Sequence, residues 1–305
     1  MNSDEYILGI DLGGTNIRLG EVDSKGILSN FHMYKIDRSL TGDELIDWIG
    51  NRVEETFDLE RMHAVGVGLA AMVLRDQRLR PGLVVHPGLA GYPFVENLSQ
   101  RINTPCWVGN DASAALRGEV HFGSAKGYKN VLLLTLGTGI GGGLLLNGKV
   151  REGSNGSSVE IGLLKFGYPS QGDPISIESL YSPGAIMEQL GDPYGNLFER
   201  VEKGISKAKL LESQMYKALG LLIANVHLLL DLELILLSGG VVQAGDKLID
   251  GIRREFRSIC PTEYQFGLDI RPGNLQVNTA GVIGAASVWL ERASLLPSLT
   301  LEENL

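Results

Sequence analysis

Two stretches of this chain share one pattern, and together they limit the fold more than any other feature. Residues 6 to 26 read YILGIDLGGTNIRLGEVDSKG, and residues 130 to 150 read NVLLLTLGTGIGGGLLLNGKV. In each, an apolar run enters a Gly/Thr turn, a second apolar run follows, and a polar turn with glycine ends it. That pattern predicts a β-hairpin with a glycine-rich bend. The second copy begins 124 residues after the first. This is too far for a solenoid repeat and suits two related domains of roughly 100–200 residues each. A chain of 305 residues that is 44% hydrophobic has enough apolar material for two packed cores.

The second stretch contains a literal G-x-G-x-x-G at Gly137, Gly139 and Gly142. A dinucleotide fingerprint of that form needs a helix directly after the glycines and an acidic residue at a strand end about 20 residues on. Here the glycines run into LLLNGKV, which is apolar and closed by a turn, and Glu152 and Glu160 lie in a glycine/serine loop. The spacing therefore does not predict a Rossmann site. It predicts a bend whose main-chain N–H groups form an anion nest, because glycine lets a phosphate approach the backbone with no Cβ between them. Thr135 and Thr138 add hydroxyl donors. One such hairpin alone reads as an ordinary tight turn; a matched pair points to a nucleoside triphosphate gripped from two sides.

The remaining segments alternate. Residues 41–57 have helical spacing, with Leu45, Trp48, Ile49, Val53 and Phe57 on one side. AVGVGLAA reads as a buried strand, VENLSQRIN as a helix, PCWVGND as a strand end and ASAALRGEVHFG as a helix. In the second half, a long helix from about Lys207 to Leu230 precedes strand LILLSG, helix DKLIDGIRREFRSI, strand LQVNTA and helix VIGAASVWLERAS. Strands alternating with helices predict the α/β class. Residues 166–176 and 191–196 read as loops.

Composition argues against several function classes. A net charge of −9 with no basic block disfavours a nucleic-acid partner, which needs lysine and arginine to displace counterions. Cys106 and Cys260 lie far apart with no CxxC, which disfavours a disulfide framework and fits a reducing cytoplasm. The start, MNSDEYILGID, lacks the basic region of a signal peptide. The most apolar stretch, LGLLIANVHLLLDLELILL, is interrupted by Asn225, His227, Asp231 and Glu233, so no membrane partner is expected.

DLGGTNIRLG resembles the first phosphate motif of the sugar kinase, Hsp70 and actin superfamily, LGTGIGGG its second, and LILLSGGVVQAGD its adenosine motif. NDASAALRGE and NGSSVEIG are similar to the NDANAAALGE and GxxGxAGExGH patterns of the ROK family of sugar kinases and repressors. The resemblance runs in order from about residue 6 to about residue 290. It implies an α/β, two-domain actin-like ATPase (ribonuclease H-like) fold with an interdomain cleft. Residues 1–113 plus 281–295 would form one domain and 114–280 the other. It also implies phosphorylation of a hexose or amino sugar, dependent on ATP and Mg2+, by a cytoplasmic homodimer.

By that resemblance Asp111 is the general base, and Asn110, Glu160 and Glu178 hold the sugar. Gly13, Gly14, Thr15, Asn16, Gly137, Thr138, Gly139, Gly239 and Gly240 hold the nucleotide, and Asp11 orients magnesium through water. The chemistry of these residue types agrees. Magnesium takes one or two carboxylates and keeps much of its water. Phosphoryl transfer needs positioning and a proton acceptor. A carboxylate accepts from two neighbouring hydroxyls. Each assignment also has a plainer reading: Asp11 as a turn stabiliser, Asn110-Asp111 as a helix cap, Glu160 and Glu178 as solvated loop charges.

The pattern breaks in one region. The family's histidine falls at Leu163, and its C-x-C-G-x-x-G-C zinc cluster falls at GYPSQGDPISIE, which has no cysteine. With none of the usual four or so Cys and His ligands, no zinc is expected. Pro169, Pro174 and Pro183 are read as limiting the loop's freedom instead. Ala71, Gly88 and Ser158 also depart from the pattern, Ser158 standing for the glycine two residues before Glu160. Leu163 cannot donate a hydrogen bond to a hydroxyl but can pack on an apolar substituent. The reading is glucokinase-like transfer to the 6-hydroxyl. An N-acetylhexosamine such as N-acetylmannosamine is the alternative acceptor, and a non-catalytic sugar-binding regulator is the alternative of another class. With the first hairpin starting by residue 6, no DNA-binding domain is expected ahead of it.

Overall fold

The structure, a computed structural model, describes residues 4–84, 86–166, 174–192, 195–276 and 279–299. The chain divides into two units. Unit 1 holds residues 1–126, 152–158 and 274–305; unit 2 holds 127–151 and 159–273.

Unit 1 is built on a five-stranded sheet in the order β3-β2-β1-β4-β7. The strands are β1 (Tyr6–Leu12), β2 (Asn16–Val22), β3 (Leu28–Lys35), β4 (Met62–Leu69) and β7 (Cys106–Asn110). The first three form an antiparallel meander, and β4 and β7 add in parallel. A short hairpin of β5 (Ala71–Val73) and β6 (Leu79–Val84) follows β4. α1 (Gly42–Thr56) and α2 (Phe94–Ile102) bury Leu45, Ile49, Val53, Phe94, Leu98 and Ile102 in one core with β1 and β4. α1 opens on a capping box, Thr41 accepting from the Glu44 N–H while the Glu44 carboxylate accepts from the Thr41 N–H, which satisfies N–H groups the helix itself leaves open.

The other side of the sheet takes α3 (Asp111–Phe122) and α9 (Ala280–Leu299). Glycines make that approach possible. Gly20, Gly9 and Gly66 are register neighbours on three adjacent strands. A Cβ on Gly9 would stand 2.1 Å from the Val282 carbonyl oxygen, and one on Gly66 2.0 Å from that of Ala285. The α9 backbone therefore lies directly on bare strands. Gly118 and Gly284 do the same between α3 and α9.

Unit 2 repeats the sheet, with order β10-β9-β8-β11-β12. These are β8 (Val131–Leu136), β9 (Ile140–Leu146), β10 (Lys149–Val150), β11 (Leu234–Ser238) and β12 (Asp269–Pro272). Again three antiparallel strands are followed by two parallel ones. α7 (Ser206–Leu230) and α8 (Asp246–Ile259) pack together, and α4 (Ile177–Tyr181), α5 (Pro183–Gln189) and α6 (Leu197–Glu202) complete the same core. No helix among the described residues is long and apolar enough to cross a membrane.

One expected strand is misplaced. Within LQVNTA, Leu275 and Gln276 join no strand and Ala280 opens α9, while residues 277 and 278 lie outside the described residues; the edge strand is the more polar Asp269–Pro272. The Leu275 N–H goes to the Glu119 carboxylate, and the Leu275 side chain packs with the α9 cluster. A tertiary partner overrides the local alternation there. The predicted loop at 191–196 is bracketed by two helices, α5 and α6, that the spacing did not suggest. Residues 167–173, which include Pro169 and most of the stretch matching the zinc cluster, lie outside the described residues. Their flanks are joined by main-chain bonds, Phe166 N–H to Ile175 O at 2.8 Å and Ile177 N–H to Leu164 O at 3.0 Å.

Candidate active site

In unit 1 the expected residues lie at the carboxyl ends of β1 and β7, the two strands that flank β4. Gly13, Gly14 and Thr15 form the β1–β2 turn, closed by the Gly13 N–H to the Asn16 carbonyl at 3.0 Å. Asp11 lies directly across from Arg18 in the register, and the guanidinium Nη1 donates to Asp11 Oδ2 at 2.8 Å. Burial pushes the Asp11 carboxyl above the usual carboxylate range, and Arg18 opposes that shift. Gly281 at the start of α9 leaves room for this group: a Cβ there would stand 2.4 Å from Asp11 Oδ2. Neither Arg18 nor Gly281 stood out in the sequence, although the Asp11–Arg18 pairing follows once the hairpin register is drawn.

Asn110 ends β7 and caps α3. Its Oδ1 accepts from the Ala112 and Ser113 N–H groups, both at 3.1 Å, and its Nδ2 donates to the Ala71 carbonyl at 3.4 Å. The acceptor side of this amide is therefore engaged in the cap, and the donor side is what it can offer a ligand. Asp111 is the first helical residue, and its Oδ1 accepts from the Ala112 N–H at 2.9 Å.

In unit 2, Gly137, Thr138 and Gly139 join β8 to β9, with the Gly137 N–H bonded to the Gly139 carbonyl at 3.0 Å. The glycines differ in what they serve. A Cβ on Gly139 would lie 2.3 Å from Glu178 Oε2 and would have to displace that carboxylate, whereas a Cβ on Gly137 or Gly240 would meet nothing within 4 Å. Bare main chain facing open space is what a phosphate needs. Gly239 has φ +96 and sits against Leu136, a conformation that favours glycine. Gly137, Gly240, Met187, Phe198, Gln243 and Lys247 line a cavity of about 500 Å³. The Lys247 ammonium is held 3.0 Å from the buried Glu212, which also accepts from the Tyr216 hydroxyl at 2.9 Å.

Glu178 lies on α4 rather than in a loop, and Oε2 accepts from the Ile140 N–H at 2.7 Å. It therefore braces the second glycine turn. Glu160 is exposed; loss of hydration, then the like charge of Glu178, raise its carboxyl above the usual range. Leu163 follows one short turn later and is 52% exposed. Val159, between Ser158 and Glu160, has φ +66, a strained conformation for a β-branched residue. Aligned on Glu160, the glycine of the AGExGH pattern falls on Val159, not on Ser158, and the backbone agrees with that correction. Among the described residues no group of three or more His, Cys, Asp or Glu is placed to hold a metal ion.

The sequence profile of the ROK family matches residues 7–292. A glucokinase of Streptomyces coelicolor is 29% identical over 316 residues, spanning 93% of this chain and 97% of that protein. An N-acetylmannosamine kinase of Haemophilus influenzae is 30% identical over 218 residues, 67% of this chain and 69% of that one. The crystal structure of a ROK family glucokinase from Streptomyces griseus in complex with glucose and AMPPNP aligns with a TM-score of 0.76 at 26% identity, covering 93% of this chain and 98% of that one. With its profile match over nearly the whole length and its duplicated sheets, the chain belongs to the ROK family and has the actin-like ATPase fold.

Proposed function

We propose that this chain transfers the γ-phosphoryl group of ATP to the 6-hydroxyl of a hexose, with Asp111 taking the hydroxyl proton. The coarser statement, that it is a sugar kinase, follows from its family and from the glucokinases it matches along nearly its whole length. The finer one rests on a single observation: the Asp111 carboxylate is fixed at the start of α3 by the Asn110 cap and its own bond to the Ala112 N–H. Transfer of this kind depends on positioning and charge stabilisation, with the carboxylate as proton acceptor. The Gly137 main chain beside the 500 Å³ cavity supports a donor with a bulky nucleoside. Asn110 would offer its Nδ2 to the sugar, and Glu160 and Glu178 their carboxylate oxygens.

Asp11 fits magnesium through water better than by direct contact, since Arg18 already engages Oδ2 and Gly281 packs closely against the same oxygen. When bound, the ion would neutralise phosphate charge. Glucose is the first acceptor to try. Leu163, apolar and exposed beside Glu160, favours an N-acetylhexosamine as the second. The test is ADP release from Mg-ATP across hexoses and N-acetylhexosamines. No turnover with any sugar, in folded protein that binds ATP, would refute the kinase reading. Restoring the family residue with Leu163→His should lower KM for sugars presenting a hydroxyl relative to N-acetylated ones. An unchanged ranking would remove Leu163 from the pocket.

Glu160 also sets an expected pH dependence. It accepts from hydroxyls through both oxygens only when ionised, and its carboxyl is raised. Sugar kcat/KM should therefore be full above that raised pKa and fall as pH drops through it. Glu178→Gln removes the like charge yet keeps an oxygen for the Ile140 N–H, so the acidic limb should move to lower pH. A limb that stays in place would show that another group controls it.

A further inference from the structure

Arg117 stands where the family pattern NDANAAALGE has a leucine, and the function derived so far does not use it. It lies in the middle of α3, 7% exposed. Burying a guanidinium in place of a leucine is unfavourable unless its charge is paired and each of its nitrogens finds a partner. Two are met: Nε by Glu291 on α9 and Nη2 by Glu152 Oε1 at 2.7 Å. The third, Nη1, has no partner among the described residues. It lies 3.7 Å from where a β-carbon on Gly109 would be, one residue before Asn110.

Glu152 opens the segment 152–158, which belongs to unit 1 although the residues on either side of it belong to unit 2. This segment is a closed loop. The Ser158 N–H returns to the Glu152 carbonyl at 3.1 Å, and Gly153 and Gly156 adopt positive φ of 78 and 69. Gly156 lies so close to β5 that a Cβ would stand 1.8 Å from the Val73 carbonyl. Holding the Glu152 end thus holds the Ser158 end. Ser158 is followed by Val159, kept in its strained conformation, and then by Glu160.

We propose that Arg117 is a positioning residue. It clamps the 152–158 loop onto the helix that begins with Asp111, and so sets where Glu160 meets the sugar. The inference rests on the assignment of Glu160 to sugar binding. The loop is anchored at three points: the Arg117–Glu152 ion pair, the Gly156 contact with β5, and the Glu152–Ser158 closure. Only the first is a side-chain pair that can be removed without a steric clash.

The test is Arg117→Leu, the family's residue, beside Glu152→Gln and Glu291→Gln. Three readouts are needed: KM for sugar and for ATP, calorimetric sugar affinity, and hydrogen exchange of the 152–158 amides. Arg117→Leu should raise sugar KM and Kd on the order of 10- to 100-fold, the scale of a misplaced contact. It should leave KM for ATP unchanged and speed exchange across 152–158. Glu152→Gln should act in the same direction; because it alters an exposed side chain, it carries the test if Arg117→Leu does not fold. Glu291→Gln takes the charge from the other partner and should change neither sugar affinity nor exchange. Unchanged exchange in both Arg117→Leu and Glu152→Gln overturns the clamp. Faster exchange with unchanged sugar affinity overturns the positioning role and with it the Glu160 assignment. An equal effect from Glu291→Gln reduces Arg117 to a general stabiliser. Calorimetry and exchange need no turnover, so the outcome is readable even if the kinase reading fails.

Discussion

Asp111→Asn should leave a folded protein that binds ATP and sugar and scarcely turns over. The expected loss in kcat is about 10²- to 10⁴-fold, the usual contribution of a positioned proton acceptor. The substitution is nearly silent in every other respect. Asn can present the same oxygen to the Ala112 N–H that Asp111 Oδ1 now meets at 2.9 Å. The Asn110 cap, which supplies two further bonds to the first turn of α3, is untouched. The remaining change is the loss of a negative charge at a helix N-terminus, worth about 0.3–1 kcal/mol. A fall in kcat with KM for sugar and ATP held would fit a group that acts in the transition state alone. Asp111→Asn turnover within a few-fold of the parent would remove Asp111 from the chemistry.

What could be read from the sequence, and what could not, divides along one physical line. The two hairpins, the long helices and the Asn110-Asp111 junction were legible because each is declared by local periodicity or by turn chemistry. The residues that escaped are defined by partners far along the chain. Arg18 is meaningful only through the β1–β2 register, and Gly281 only because α9 returns to Asp11 from the other end of the sequence. Arg117 carried no signal of its own in the sequence, and its role is defined by Glu152 and Glu291, far along the chain. Glu178 had a plainer reading as a loop charge because α4 is only five residues long and carries little pattern of its own. The misplaced strand at LQVNTA has the same cause, since Leu275 answers to Glu119 on α3 and to the α9 cluster rather than to the sheet.

The same long-range logic makes Gly66→Ala a strongly damaging small substitution in unit 1. A strand position that accepts only glycine is unusual, because glycine weakens a strand and gives it nothing to pack. Here the reason is the backbone of α9. The new methyl would stand 2.0 Å from the Ala285 carbonyl oxygen and 2.8 Å from its carbon. Those are main-chain atoms of a helix held from the opposite side by α3 through Gly118 and Gly284. No rotamer change relieves that clash, so α9 must lift. Overpacking of this kind costs about 3 kcal/mol or more, which for a unit of this size lowers Tm by roughly 6–12 °C. Gly68→Ala, two residues along the same strand, is the control. Its methyl would meet Ala114 and Ala285 side-chain carbons at 3.5 and 3.6 Å, ordinary contact, and should be close to neutral. Because Gly281 at the start of α9 sits over Asp11, the folded fraction of Gly66→Ala should also lose activity beyond its loss of stability. If Gly66→Ala and Gly68→Ala melted together near the parent, α9 would not lie on the bare strands, and the space beside Asp11 would need another explanation.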